Sequence, residues 1–166
     1  MLHQAIIKLY KHLLTIHVLV FIFYFVWIIL LVGYFYSLLP FADNMQNVEE
    51  LENIKKSGIL PYFFITVFFG PIFETLVFQA FVIYVTQSLF LKIGVKSLIC
   101  PVLCSALVFA LDHSYNISYM ALGFVVGLIF ASSYVIVKQR KESAVIVVII
   151  IHTIVNLVPF SLYFLL

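Results

Sequence analysis

Long apolar runs, separated by short polar segments, make up most of this chain, and their lengths predict membrane-spanning helices. Five runs cover residues 13–39, 59–91, 97–113, 117–137 and 144–165. A helix needs about 20 predominantly apolar residues to cross a bilayer. Because the runs are continuously apolar rather than alternating, they favour helices over the strands of a membrane barrel. We therefore predict an all-α, polytopic transmembrane helix bundle with about five spans.

Composition narrows the class further. The 166 residues are 65% hydrophobic and only 10% charged, which is too apolar for a soluble domain of this length. The five runs leave no room for a separate soluble domain, so we expect one membrane domain over residues 1–166. The lipid bilayer is its predicted surrounding, and no nucleic-acid partner is expected.

The positions of the charged residues predict the topology. Basic residues precede the first run and follow the second and the fourth: Lys8, Lys11, Lys92, Lys96, Lys138, Arg140 and Lys141. This alternation follows the positive-inside pattern and predicts a cytoplasmic amino terminus in a multi-pass protein. A short amphipathic stretch at the membrane interface is expected before residue 13. In the acidic connection 42–58, Asn47 and Glu50 favour either a short capped surface helix or a solvated loop.

The second run is longer than one span requires. Its 33 residues would extend about 50 Å as a helix, against a hydrocarbon core of about 30 Å. Gly70-Pro71 is the natural place for a break or kink. If a helix restarts there, Pro71 lies in its first turn, and the free N–H groups and helix dipole would favour an ionised Glu74.

Glu74 is the one charged residue inside the second run, and an ionisable side chain at membrane depth normally faces a bundle interior or a cavity. It lies 18 residues before Lys92. His113 lies 17 residues after Lys96. If residues 92–96 form the turn of an antiparallel hairpin, Glu74 and His113 lie at nearly the same depth. A carboxylate and an imidazole that face each other can hold and deprotonate a water molecule.

The last run carries a second polar pair, His152 and Asn156, which are four residues apart and share a helix face. An imidazole N–H beside a carboxamide N–H is a suitable pair of donors for an oxyanion. Buried polar groups on membrane helices also hydrogen-bond to neighbouring helices and hold a bundle together, so a structural role is the alternative for each of these residues. Zinc is the lesser alternative: one Glu and two His match a zinc site in residue type, but no H-E-x-x-H element is present. No cofactor is therefore expected.

Three motifs in these runs resemble those of the CPBP family of intramembrane proteases, which includes Rce1-type CAAX prenyl endopeptidases and bacteriocin-immunity-like (Abi) proteins. The family patterns are EExxxR, FxxxH and HxxxN or HxxxD. Here they read ETLVFQ at 74–79, FALDH at 109–113 and HTIVN at 152–156. Three motifs in the family's order cover roughly residues 59–160. On this resemblance, residues 1–58 supply a first span and the acidic connection, and residues 59–166 form the catalytic core.

The resemblance implies a CAAX-type endopeptidase that depends on a glutamate and works without metal. Glu74 would be the general base, His113 its partner in activating water, and His152 with Asn156 the pair that binds the oxyanion. Phe109, which opens the second motif, is expected to support the site. The implied substrate is a peptide or protein at the membrane, either lipidated or otherwise membrane-associated.

The first motif departs from the family pattern, because Thr75 replaces its second glutamate and Gln79 replaces its arginine. We interpret this as the exchange of a charged pair for a neutral, hydrogen-bonded Thr75–Gln79 pair that supports the site and leaves Glu74 in place. The departure keeps a non-catalytic alternative open: a membrane immunity or scaffold protein that uses the same groove for binding. A transporter component is a weaker alternative, since the five runs contain no evident repeat.

Overall fold

The computed structural model describes residues 2–39, 56, 58–114 and 116–165, and these ranges are helical apart from short turns and contain no strand. Six helices run through them: α1 (Leu2–Thr15), α2 (Val18–Ser37), α3 (Ile59–Lys92), α4 (Ile99–Asp112), α5 (Ile117–Val137) and α6 (Ala144–Leu165). The predicted all-α helix bundle is confirmed. The capping signal at Asn47 and Glu50 lies outside the described residues.

Four of the six helices in the described ranges are long and apolar enough to cross a membrane: α2, α3, α5 and the Ala144–Leu162 part of α6. α4 is apolar but has only 14 residues, which is about 21 Å of helix against a hydrocarbon core of about 30 Å. The predicted five spans are therefore four full-length helices and one shorter helix. Large side chains such as Phe69, Phe73 and Phe81 are exposed around the bundle, as expected where lipid is the solvent.

The first predicted run, 13–39, begins in the last turn of α1 and continues through the whole of α2. The two helices are separated at Ile16 and His17, and His17 caps α2, since its Nδ1 accepts a hydrogen bond from the Leu19 N–H at 3.3 Å. The predicted amphipathic stretch before the span is thus a separate helix, α1.

The core lies between α2, α5 and α6. Its most deeply buried apolar side chains include Phe21, Ile29, Phe130, Val148 and Ile151. Phe78 of α3 and Phe109 of α4 join the same cluster. α3 and α4 therefore each contribute to the core a phenylalanine that lies close to the candidate polar residues.

α3 runs for 34 residues through Gly70-Pro71 without interruption, although its helical pitch changes along the way. It is α-helical at Ile59–Phe63, Gly70–Glu74 and Val82–Lys92, and π-helical at Phe64–Phe69 and Thr75–Phe81. The predicted irregularity at Gly70-Pro71 is present as this change of pitch. The predicted restart is wrong: the Gly70 N–H bonds to the Ile65 carbonyl five residues back, so the backbone hydrogen bonding continues and no free helix N-terminus lies beside Glu74.

α4 lies close against α5 at two glycines. An added Cβ at Gly127 would lie 3.0 Å from Ala106 Cα, and one at Gly123 would lie 3.4 Å from Ala110 Cα. Small residues four positions apart on both helices let the backbones approach closely, which is a common way for membrane helices to pack. This packing fixes the depth and rotation of α4, whose last turn leads into His113.

Candidate active site

Glu74 ends the short α-helical segment between the two π-helical segments of α3. Its side chain is 19% exposed and lies near Gly70, where an added Cβ would be 3.4 Å from Glu74 Oε1. Because helical side chains point toward the helix amino terminus, glycine at this position leaves the carboxylate room beside its own helix. Glu74 Oε2 is buried and has no hydrogen-bond partner among the described residues. The carboxylate therefore presents one enclosed oxygen to the interior of the bundle.

His113 caps the carboxyl end of α4. Its Nδ1 lies 2.8 Å from the Phe109 carbonyl oxygen. Because a carbonyl can only accept a hydrogen bond, Nδ1 carries the hydrogen, and in the neutral ring Nε2 keeps a free lone pair. His113 Nε2 lies 4.0 Å from Glu74 Oε2, and one water molecule can donate a hydrogen bond to each acceptor across such a gap. The structure brings together the pair that residue counting predicts at one depth.

His152 approaches the same carboxylate oxygen from α6. Its Nε2 lies 3.7 Å from Glu74 Oε2. The residue is 4% exposed, and its ring lies over Phe130 with the two centroids 4.4 Å apart. Its Nδ1 is buried and has no hydrogen-bond partner within the described ranges. Both histidines of the family motifs therefore flank one oxygen of Glu74.

Asn156 lies one turn beyond His152 and contacts α3. Its Nδ2 donates a hydrogen bond to the Thr66 carbonyl at 2.9 Å. In the π-helical segment Phe64–Phe69, backbone hydrogen bonds run to the residue five positions ahead. The residue five positions after Thr66 is Pro71, which has no N–H, so Asn156 supplies the missing donor. Nδ2 carries two hydrogens, which leaves one for another acceptor.

Phe109 forms a wall beside both histidines. It is 2% exposed, its ring stacks on His113 with centroids 4.4 Å apart, and the His152 centroid lies 6.1 Å away. The rings of Phe78 and Phe130 meet it edge-on at 5.7 and 5.9 Å. Close packing of aromatic rings restricts the orientations that the imidazoles can adopt. Phe109 is thus placed to orient both histidines.

Thr75 and Gln79 are fully buried, at 0% exposure. The predicted hydrogen bond between them is absent: Thr75 Oγ1 and both polar atoms of the Gln79 side chain lack a partner in the described part of the chain. The prediction counted four residues along an α-helix, whereas Thr75–Phe81 is π-helical, with bonding to the fifth residue. The wider turn changes the angle between the two side chains, which explains why the expected register fails.

Four residues that build the site are not among the sequence candidates: Gly70, Gly123, Gly127 and Phe130. The G-x-x-x-G pattern at 123–127 is a recognised signal for close helix packing in an apolar run, so the approach of α4 to α5 is readable from the sequence. Gly70 reads only as a helix breaker, although it also makes room for Glu74. Phe130 carries no signal that separates it from its apolar neighbours.

Glu74, His113 and His152 are also residue types that bind zinc, which holds histidine nitrogens at about 2.0–2.1 Å. Over the described ranges, no group of three or more His, Cys, Asp or Glu has a geometry that could hold a metal ion. The arrangement places two imidazole nitrogens around a carboxylate oxygen at 4.0 and 3.7 Å. That a reaction at this site works without a metal stays a prediction.

These features define a polytopic membrane protein with a polar site enclosed between α3, α4 and α6. The family model for the type II CAAX prenyl endopeptidase Rce1-like proteins matches residues 56–158, a range that holds Glu74, His113, His152 and Asn156. The chain belongs to this family of CAAX-type membrane proteases. No curated protein and no solved structure matches the chain.

Proposed function

We propose that this protein is an intramembrane endopeptidase that hydrolyses a peptide bond of a membrane-associated or lipidated substrate. One observation carries the proposal: Glu74 Oε2, enclosed in an apolar bundle, lies 4.0 Å from His113 Nε2 and 3.7 Å from His152 Nε2. A carboxylate at membrane depth is costly and is normally retained for function. Family membership supports proteolysis as the class of reaction.

In the proposed mechanism, a water molecule between Glu74 Oε2 and His113 Nε2 loses a proton to Glu74 and attacks the carbonyl carbon of the scissile bond. The carbonyl electron pair moves to oxygen, which becomes the oxyanion of a tetrahedral intermediate. His152 and the second Nδ2 hydrogen of Asn156 donate hydrogen bonds to this oxyanion. The intermediate then collapses, the C–N bond breaks, and the proton held by Glu74 passes to the leaving amine.

The proposed location is a bacterial cytoplasmic membrane, with α1 and the α5–α6 connection on the cytoplasmic side. Tyr10 of α1 donates a hydrogen bond to Gln139 Oε1 at 2.6 Å, so these two segments lie on the same side of the bundle. Both segments are rich in lysine and arginine, and cytoplasmic segments carry an excess of these residues. That shared charge supports the orientation.

The test compares amino-terminal peptides from the membrane and secreted fractions of cells that carry the wild-type protein or the Glu74→Gln variant. We expect new protein termini that require Glu74 and His113, while Glu74→Gln and His113→Ala are inserted in normal amounts. His17→Ala is the matched control, because this histidine caps α2 outside the site. Identical termini in wild-type and Glu74→Gln cells would contradict the proposal. Inhibition by chelators that added zinc reverses would replace the metal-independent mechanism with a zinc-dependent one.

A second candidate function is a non-catalytic immunity or scaffold protein that binds another membrane protein in the same groove. The observation that favours it is the change at Thr75 and Gln79, which occupy the positions of the family's glutamate and arginine and are buried without partners among the described residues. In that case the Glu74→Gln variant keeps full biological activity. The protease proposal requires that it lose this activity.

A further inference from the structure

We propose that α1 and the α5–α6 connection form a surface that binds the headgroups of anionic phospholipids. At about 3.6 residues per turn, the side chains of α1 divide into two faces. The apolar face includes Ile6, Ile7, Leu9, Tyr10, Leu13 and Leu14, and the polar face holds Gln4, Lys8, Lys11, His12 and Thr15. An amphipathic helix with lysines on its polar face is the form that lies in the membrane interface.

The amino-terminal part of the apolar face is left uncovered by the bundle. Ile6 is 57% exposed and Leu9 is 58% exposed. Leu13 and Leu14, one turn further on, pack against the core. The bilayer is the surface next to the exposed part, because α2 begins its apolar span at Val18, only three residues after α1 ends.

Arg140 binds the backbone at the junction between α1 and α2. Its side chain is 4% exposed, and its Nη1 and Nη2 donate hydrogen bonds to the carbonyls of Leu13 and Ile16 at 2.6 and 2.7 Å. Carbonyls at the end of a helix lack partners further along the chain, and here the α5–α6 connection supplies the donors. Glu142 accepts hydrogen bonds from the same guanidinium at 3.0 and 2.9 Å. The charge of Arg140 is therefore used internally, and its role is to hold the carboxyl-terminal end of α1 against the α5–α6 connection.

The lysines around this junction are exposed and carry the charge that a headgroup would meet. Lys8 and Lys11 lie on α1, and Lys138 and Lys141 lie beside Arg140. Within the described ranges none of these four lysines has an ion-pair partner. Basic segments at the cytoplasmic end of a span attract anionic lipids. Lys138 Nζ donates a hydrogen bond to Gln87 Oε1 at 3.4 Å, which leaves its charge unpaired. The exposed apolar side chains and the exposed lysines thus fit the two parts of one partner, the acyl chains and the headgroups of an anionic phospholipid.

The test follows the depth of α1 in the full-length protein. A fluorophore is attached through Ile6→Cys, with the native free thiols of Cys100 and Cys104 replaced by serine. The protein is reconstituted into vesicles of phosphatidylcholine alone or of phosphatidylcholine with an equal amount of phosphatidylglycerol. In the anionic vesicles, we expect a quencher attached to the lipid acyl chains to quench the fluorophore. Iodide dissolved in the water should not quench it there. In the anionic vesicles, removal of two lysines (Lys8→Gln with Lys11→Gln) should lower the ratio of inserted to exposed α1 by about 30-fold. This value follows from about 1 kcal/mol for each lysine and about 1.4 kcal/mol for each tenfold change in the ratio.

The matched control is Lys92→Gln with Lys96→Gln, which removes the same charge from the last residue of α3 and from the connection that follows it. This control should leave the fluorophore as deeply inserted as in the wild type. Equal insertion in both kinds of vesicle, or an equal effect of the two lysine pairs, would overturn the role of α1 in headgroup binding. Access of iodide in both kinds of vesicle would overturn the interfacial position. Protection in detergent that rises with protein concentration would mean that a second copy of the chain covers this face instead.

Discussion

The Asn156 carboxamide donates a hydrogen bond to the Thr66 carbonyl at 2.9 Å, and this bond joins the two helices that carry Glu74 and His152. Thr66 lies in a π-helical segment, five residues before Pro71. Proline has no N–H, so the backbone of α3 cannot satisfy this carbonyl in the π-helical register. Asn156 therefore holds α3 in position, and its second hydrogen is the one that the proposed mechanism directs to the substrate.

Because Asn156 supplies the donor that Pro71 lacks, Pro71→Ala should partly restore the stability that Asn156→Ala removes. Asn156→Ala leaves the Thr66 carbonyl without its donor, and an unsatisfied buried acceptor costs about 1–3 kcal/mol. Pro71→Ala restores an N–H at the position from which α3 can bond to that carbonyl. Asn156→Ala should therefore cost less in the Pro71→Ala background than in the wild type, as measured by unfolding in detergent.

Pro61→Ala is the control for this rescue, because it lies in the first α-helical segment of the same helix. Its effect should add to that of Asn156→Ala, as expected for changes without a shared partner. Additive effects for Pro71→Ala as well would contradict the relationship. The rescued double variant should recover stability without cleavage activity, since the oxyanion donor is still missing.

Glu74→Gln should abolish cleavage by the purified protein while leaving its unfolding temperature close to that of the wild type. The amide keeps the shape of the carboxylate but cannot take a proton from water, and loss of a general base costs about 10²–10⁴-fold in rate. His113→Ala should act in the same direction. Turnover of a membrane-embedded peptide measures both effects, and a Glu74→Gln variant that cuts at the wild-type rate would contradict the role of Glu74.

Gly127→Ala should destabilise the protein and lower its activity. The new Cβ would lie 3.0 Å from Ala106 Cα and 3.1 Å from Phe109 Cδ1, so α4 must move away from α5 and carry His113 with it. Overpacking of this kind costs about 1–3 kcal/mol. Gly33→Ala is the matched control, because a Cβ at that position of α2 would have no atom of the other described residues within 4 Å, apart from its chain neighbours and the adjacent backbone of its own helix. Unfolding temperature and cleavage rate should fall for Gly127→Ala and hold for Gly33→Ala.

Glu142 gives a prediction for pH. Hydrogen bonds from Arg140 hold the pKa of this carboxyl below its ordinary value of 4.5. Because the pKa is lower in the folded state, the ionised group stabilises the fold above the ordinary value, and this contribution is lost as pH falls through the lowered folded pKa. Below about pH 4.5 the stability of the wild type should therefore fall more steeply than that of Glu142→Gln. Parallel unfolding curves for the two proteins over this range would contradict the prediction.

Substitutions at Thr75 and Gln79 test whether these two residues together replace the charged pair of the family. Gln79→Arg alone places a charge at a position that is 0% exposed, and an unpaired buried charge costs about 3–5 kcal/mol. Thr75→Glu together with Gln79→Arg restores both charges and should be tolerated better than Gln79→Arg alone. Equal unfolding free energies for the single and the double variant would show that the two positions do not interact.

Residue counting is enough to bring Glu74 and His113 together, because the depth of two residues in a hairpin depends only on helix rise and on the position of the turn. The same counting fails for His152, which is only 10 residues past Glu142 in the sequence and would therefore lie closer to the end of its helix than Glu74 does. Its actual position depends on how Val147, Val148 and Ile151 pack in the core, and such packing is not encoded in spacing. The π-helical segments could not be predicted either, because the apolar sequence around Thr75 and Gln79 is compatible with both α-helical and π-helical pitch.

The shortness of α4 has a consequence for the membrane itself. A helix of about 21 Å beside neighbours that fill a hydrocarbon core of about 30 Å creates a hydrophobic mismatch, which lipids relieve by thinning locally. The thinned region would lie next to His113, at the end of α4. Bulk water would then reach the buried glutamate over a shorter distance than the thickness of the surrounding bilayer. Lipids with shorter acyl chains should favour this state, so the thickness of the host membrane would control the proposed hydrolysis.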